Sequence, residues 1–474
     1  PKGRFSITEQ YVRFVEKKRP DLDFDYERVA HRIRTLEKNQ EAFAALLDKV
    51  RQADLVVWAF PVYYLLVASQ YKRFIELLFE REVTDAFKDK PAVSLSTSIH
   101  FNDHTAHDYM RSICEDLRMR FLGFHSPEMV DLTEEEGQAS VMDFFYRTLA
   151  AIQAGVTPAR VHAPLQWSPW TYTPSSSSSP SSSSSPSSPS TPPRPSSVPH
   201  LGGKKMVILT DIRSQDPAHP EDTNLSAMVK RLVASVEGDV EVHSLHDLNI
   251  KGGCLGCCRC ALDWRCVYTG KDGYIDFFKN TLEPADILVF AGAIHDRYLS
   301  SKWKQFFDRS FFNNHTPALR KKQVGFLVSG PLRLVPNLRR IMESYIELQE
   351  SNLVDMVSDE ARDSSILDRQ IEGLASRLVE GAKLGHINPQ TFLGVGGMKV
   401  FRDAMFEGLK AVFQADHRAY KKRGYYDLPH RQYGRRAKSA LISMALHLPP
   451  VRKRFPDMLK PKMVEPLQKI VEKA

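Results

Sequence analysis

Five of the six cysteines of this 474-residue chain, Cys254, Cys257, Cys258, Cys260 and Cys266, fall in one short stretch, and Cys114 stands alone. A disulfide framework is spread through a small secreted domain, whereas a tight cluster points to metal or redox chemistry. The motif reads Cys254-x2-Cys257-x2-Cys260-x5-Cys266, with Cys258 as an extra thiol. Four thiolates on a compact loop can converge on one iron–sulfur cluster. They can also bind zinc, although zinc usually takes two CxxC knuckles set farther apart. In a third reading the thiols are only packed or redox-active, and spacing alone leaves all three open.

A second chemical candidate is the polar segment that opens with Asp211-Ile212-Arg213 and closes with Asp222-Thr223-Asn224. Behind it Leu225, Met228, Val229, Leu232 and Val233 fall on one helical face. Hydroxyl and amide side chains that cap a helix leave backbone N–H groups and a positive dipole end free for a phosphate, although the same residues also serve as an ordinary cap. Arg4, Ser6 and Thr8 hold the equivalent place before a helix expected over 9–17.

The elements that position these residues occur twice. In the first half Ala53-Asp54 opens the run Leu55-Val56-Val57-Trp58-Ala59-Phe60, followed by Pro61-Val62-Tyr63-Tyr64, Ser69 and Lys72-Arg73-Phe74. In the second, Ala285-Asp286 opens Ile287-Leu288-Val289-Phe290-Ala291, followed by Gly292-Ala293-Ile294-His295, Ser301 and Lys304-Gln305-Phe306. Asp54 to Lys72 and Asp286 to Lys304 are both 18 residues. Short apolar runs rich in β-branched residues, each followed by an amphipathic helix, read as buried parallel strands of an α/β doubly wound sheet. Further strands are expected at 92–96, 205–210, 240–245 and 324–329. Ligands of such sheets sit at the carboxyl ends of the strands.

In order, the phosphate loop, the Ala-Asp strand with its Pro-Val-Tyr segment, the Lys-x-Phe helix and the Ser-ended strand resemble the NAD(P)H-dependent FMN reductase family of flavodoxin-like proteins. With its cysteines the second half is similar to the iron–sulfur flavoprotein branch of that family. The resemblance implies two flavodoxin-like modules, over 1–155 and 204–385, the first lacking its first strand. A disordered Ser/Pro-rich linker is expected over 156–203, and a basic helical extension over 386–474.

By the same resemblance, FMN lies against Pro61, Val62 and Tyr63 or against Gly292, Ala293, Ile294 and His295. Ser96, Thr97 and Ser98, or Ser329, Gly330 and Pro331, close the other side. Cys254, Cys257, Cys260 and Cys266 become the ligands of a 4Fe-4S cluster. NAD(P)H is the expected electron donor, and no acid–base residue is required for hydride transfer. The second copy, which keeps every part, is the expected redox centre, and the first is expected to serve mainly as a partner surface.

The net charge of +8 suggests nucleic acid, but residues 401–474 hold 17 Lys and Arg against 7 Asp and Glu, so the basicity belongs to the tail. No nucleic-acid partner is expected. No run approaches the roughly 18 apolar residues of a spanning helix, and the chain reads as a cytoplasmic protein. Its partner is a small-molecule or protein electron acceptor, and the resemblance implies a homodimer or an intramolecular pairing of the two modules. An electron carrier without a nicotinamide site, or a flavin-free scaffold, are the alternatives. Gly394-Val395-Gly396-Gly397 reads as a turn, and the His-rich stretch 100–107 as a loop.

Overall fold

Parallel strands buried on both faces need unbroken apolar sequence, which the chain supplies in the fully buried strands at 206–210, 287–293 and 323–329, while the strands at 120–125, 240–244 and 352–358 are more polar and partly exposed. The computed structural model describes residues 6–168, 170–175, 198–213, 220–313, 315–426 and 433–451, with scattered positions to 465. The first half runs α1 (Ile7–Lys18), α2 (Val29–Lys38), α3 (Gln40–Gln52), β1 (Val56–Pro61), α4 (Ser69–Glu80), β2 (Pro91–Thr97), α5 (Asp103–Asp116), β3 (Arg120–His125) and α6 (Glu135–Gln153). The second runs β4 (Met206–Thr210), α7 (Pro220–Ala234), β5 (Val240–Ser244), α8 (Tyr274–Phe277), β6 (Ile287–Ala293), α9 (Ser301–Arg309), β7 (Gln323–Ser329), α10 (Pro336–Leu348), β8 (Asn352–Ser358) and α11 (Ser364–Leu384). Then follow α12 (Phe392–Glu407), α13 (Gln414–Arg423) and α14 (Tyr433–Ala445).

All strand pairs are parallel. The first sheet is β1-β2-β3 and the second β5-β4-β6-β7-β8. Numbered within its own half, the second sheet has the order 2-1-3-4-5 of flavodoxin-type doubly wound sheets. The three strands of the first half match the last three of the second. β2 and β7 have the same length, and each slips register after its second residue, at Ala92/Val93 and Val324/Gly325.

Side chains alternate across the second sheet as the pleat requires. Met206, Ile208, Ile287 and Val289 face α7 and α11. Val207, Leu209, Leu288 and Phe290 face α9 and α10 in a core that runs on into the first half, through Phe74, Leu78 and Tyr109. α4 packs on α9, and the fully buried Lys72 on α4 reaches Asp296 of the second half at 2.8 Å. The halves therefore share one core, and residues up to Arg418 form a single unit. Residues 419–474 form a second unit, which contains α14.

Three expectations change here. Part of the stretch read as disordered linker is built into the fold. Tyr172 is buried, with its hydroxyl on Asp368 at 2.5 Å, and the Arg160 guanidinium donates to the Glu115 carbonyl at 2.9 Å. Positions 176–197 lie outside the described residues. The glycines at 394–397 belong to α12 rather than a turn, because a Cβ on Gly397 would meet the Phe101 ring, which needs that space. The His-rich stretch leads into α5, whose His107 is buried between Ser94 and Ser96. No described helix is long and apolar enough to cross a membrane.

Candidate functional site

A cavity of about 210 Å³ opens at the carboxyl ends of the first half's strands. One end is lined by hydroxyls, from Ser6, Thr8, Thr97 and Ser98. Ser6 caps α1 by accepting from the Glu9 N–H at 3.3 Å. Thr8 and Thr97 share a buried hydrogen bond of 2.6 Å, which pins the first turn of α1 to the end of β2. A helix start furnished this way suits an anion.

The remainder of the cavity is apolar, with Pro61, Val62, Tyr63, Tyr64 and Leu65 on one side. β1 ends in a tight turn closed by the Tyr63 N–H to the Leu66 carbonyl, 2.8 Å. Tyr64 and Leu65 take positive φ values of 39° and 68°, a region that costs a non-glycine residue energy and that clusters at binding sites. Lys304 of the second half anchors this turn by donating to the Tyr63 carbonyl at 2.7 Å. Burial pushes the Tyr63 phenol well above its ordinary range, with nearby Cys254 adding to the effect.

Further lining comes from the second half and beyond. Gly256 and Cys258 belong to the cysteine loop, Phe311 and His315 follow α9, and Phe401, Leu409 and Phe413 follow α11. The His315 ring packs on Phe401 at 4.6 Å and on Phe413 at 4.8 Å, and its Nδ1 pairs with Asp416 at 3.0 Å. Asp416 is fully buried and also accepts from the Trp264 indole at 3.0 Å and the Thr316 hydroxyl at 2.9 Å. One carboxylate thus locks the cysteine loop, the 315–316 turn and the start of α13 together behind the cavity.

Of the first-half residues expected at a flavin, Ser6, Thr8, Pro61, Val62, Tyr63, Thr97 and Ser98 border this cavity. Arg4 lies outside the described residues. Ser96 does not line the cavity, because its hydroxyl bonds His107 Nε2 at 2.9 Å on the sheet interior. Burial holds the His107 imidazole down to about 4.

In the second half the equivalent polar groups are already engaged. The Gly330 N–H donates to Asp359 Oδ1 and the Ser329 hydroxyl to Asp359 Oδ2, both at 2.8 Å. A Cβ on Gly330 would lie 3.0 Å from that of Ile294, so these two segments already touch. The Ile294 N–H donates to the Ser329 carbonyl at 2.8 Å, and the His295 N–H to the Tyr298 carbonyl at 3.1 Å. Gly292 faces Trp303, Ala293 is buried, and Pro331 leads into a turn of 3-10 helix. Thr223 and Asn224 lie within the first turns of α7, not before it. Asn224 is filled by the chain itself, receiving the Tyr172 N–H at 2.8 Å and donating to the Trp170 carbonyl and to Asp359, both at 2.9 Å. Asp211 is buried against the Ser300 hydroxyl, and Arg213 is half-buried. Among the described residues, the well-formed cavity borders the copy expected to be the lesser one.

None of the six cysteines is in a disulfide. Cys254, Cys257, Cys258, Cys260 and Cys266 surround a void of about 20 Å³, closed by Arg309, Phe311 and Phe312. Among the described residues no group of three or more His, Cys, Asp or Glu side chains is arranged to hold a metal. Burial pushes the Cys254 thiol up to about 12 and raises that of Cys260 further, which favours S–H over thiolate. Cys260 donates to the Phe311 carbonyl at 3.6 Å. The expected 4Fe-4S set of Cys254, Cys257, Cys260 and Cys266 is therefore not supported among the described residues.

The sequence carried no local signal for Phe311, His315, Phe401 or Phe413, which reach the cavity only through long-range packing.

Residues 6–126 match the family model of NADPH-dependent FMN reductase. Several solved structures are similar to part of the chain. RosB with a bound riboflavin-phosphate intermediate is 13% identical over 38% of this chain and 80% of that one, with a TM-score of 0.30. An FMN-dependent NADH-azoreductase from Bacillus anthracis in complex with FMN is 12% identical over 37% and 99%, with a TM-score of 0.29. A flavone reductase is 14% identical over 39% and 66%, with a TM-score of 0.28. No curated protein matches the chain.

Proposed function

We propose that this chain is an oxidoreductase of the NADPH-dependent FMN reductase type, the family whose model residues 6–126 match, and that FMN occupies the cavity of the first half and takes electrons from NAD(P)H there. The observation that carries this reading is the lining. The hydroxyl residues Ser6, Thr8, Thr97 and Ser98 at the start of α1 and the end of β2 line it together with apolar and aromatic side chains such as Pro61, Val62, Phe311 and Phe401, a mixture that suits the phosphate, ribityl and ring portions of one amphipathic molecule.

When bound, the flavin supplies hydride acceptance and passes electrons on one or two at a time. The chain's part is to place and enclose it. Ser6, Thr8 and Thr97 hold the phosphate end, the turn from Pro61 to Tyr64 lies along the ring, and Phe311, His315, Phe401 and Phe413 keep water from the far wall. No proton-transferring side chain is needed, because orientation over a dry ring suffices for hydride transfer. In this reading both halves are flavodoxin-like modules, over 1–155 and 204–385. The second serves as an internal partner that completes the first one's site, and the basic extension from 386 supplies a wall. A small-molecule or protein acceptor and a cytoplasmic setting belong to the same proposal.

The test is anaerobic stopped-flow mixing of the FMN-loaded chain with NADPH and NADH. Bleaching of the flavin with either nucleotide is expected. Bound FMN that neither nucleotide bleaches would leave only an electron carrier.

A further inference from the structure

We propose that Cys254 and Cys258 form a redox-active dithiol that exchanges an electron pair with the flavin of the neighbouring cavity. This rests on FMN binding in that cavity and adds a second redox group to it. Cys258 and Gly256 border both the flavin cavity and the thiol-lined void, and Phe311 separates the two spaces. The cysteine loop of one half is therefore seated at the cavity of the other.

Two further observations select the pair. The Gly256 N–H donates to Cys254 Sγ at 3.4 Å, and the Cys258 S–H donates to the Gly256 carbonyl at 3.7 Å, so both sulfurs flank one residue. Gly256 and Cys258 both take left-handed φ values, 58° and 56°, which fold the loop back on itself. By contrast, Cys257 is exposed and Cys260 is turned to the Phe311 carbonyl. The loop is also clamped in place. Gln70 of the first half donates to the Cys254 carbonyl at 3.3 Å, and a Cβ on Gly253 would meet Ser69 Oγ at 2.4 Å.

The step balances without another reagent. Two thiols give two electrons and two protons to oxidised flavin, an S–S bond forms, and the flavin leaves as its fully reduced form. In reverse, flavin reduced by nicotinamide cleaves the disulfide and restores both thiols. The pair stores one electron pair beyond that held by the flavin.

The experiment uses the full chain without oxygen. FMN binding is measured first by equilibrium dialysis, and failure to bind sinks the flavin reading itself. The reduced protein is then mixed with excess oxidised FMN, unfolded in acid and alkylated. Two of the six thiols should disappear, with a peptide map placing the cross-link between Cys254 and Cys258. Dithionite titration should take up four electrons per flavin in the oxidised wild type and two in Cys254→Ser. The wild-type thiol count stands even where that variant fails to fold. FMN binding with all six thiols retained, or a cross-link between any other pair, overturns the dithiol and leaves the flavin site standing.

Discussion

Asp308 and Glu76 hold corresponding places in the two copies, and each caps the other copy's helix. Asp308 Oδ2 accepts from the Ser69 N–H at 2.7 Å and Glu76 Oε1 from the Ser301 N–H at 2.5 Å. Ser69 and Ser301 are themselves the first residues of α4 and α9. The contact is thus a two-fold, isologous one built inside a single chain. A carboxylate at each helix start also meets the positive end of the helix dipole.

Glu76 should be the most sensitive member of this contact. Glu76→Ala leaves the buried Lys72 ammonium short of one partner and the Ser301 N–H without the carboxylate it donates to. A loss of about 3–5 kcal/mol is expected in urea unfolding. Adding Lys72→Met on that background should deepen the loss, since the buried Asp296 then loses the cation it meets at 2.8 Å. A loss below about 1 kcal/mol would mean that the pair contributes no more than a surface bridge.

The fold should weaken with acid in two stages. Burial lowers His107 from 6.5 to about 4, so below pH 6.5 the unfolded chain takes up a proton that the fold refuses. Stability then falls as pH drops through that window, by about 1.4 kcal/mol per unit at most. For Glu76, burial opposes ionisation, but Lys72 and His295 outweigh it and hold the carboxyl at about 2 instead of 4.5. Its contribution is complete above pH 4.5 and is lost towards 2. Urea midpoints measured across both windows check this, and His107→Gln should flatten only the upper one.

Thr97→Val removes the hydroxyl that meets Thr8 at 2.6 Å. One hydrogen bond at the phosphate end is worth about 1–1.5 kcal/mol, so the FMN dissociation constant should rise roughly tenfold. Equilibrium dialysis reads it directly, and an unchanged constant would place the phosphate elsewhere.

Gly397→Ala puts a Cβ 2.2 Å from the Phe101 ring, which is itself packed on Phe401 at 4.8 Å. Overpacking of this kind costs about 1–3 kcal/mol and should loosen the far wall of the cavity. Iodide should then quench bound flavin fluorescence more strongly than in the wild type.

Six of the eight described strands were legible as short apolar, β-branched runs, and the duplicated spacing from Asp54 to Lys72 and Asp286 to Lys304 revealed the repeat, whereas β3 and β8 were not, because polar residues interrupt them and they are partly exposed. The residues that gather at the cavity, from Ser6 and Thr8 to Tyr63 and Ser98, were legible for a related reason, since in such sheets the carboxyl ends of the strands face a common crevice. The engagement of the second half's described polar groups was not. That depends on Asp359 turning to Gly330 and on Tyr172 returning to Asn224 across more than 50 intervening positions, neither of which leaves a local pattern. The glycines of α12 misled for the converse reason. Their helix propensity is poor, and contact with Phe101 overrides it.

In a homodimer every substitution appears twice, so a change that improves one subunit as a supporting surface damages the other as a binding site. Joining the two copies in one chain removes that constraint. Asp359 can occupy the Gly330 N–H in one module while the corresponding crevice of its neighbour stays open, and each face of the pair is free to change alone. Tethering also makes the pairing independent of protein concentration. The molecule has the working geometry of a dimer and the mutational freedom of a heterodimer.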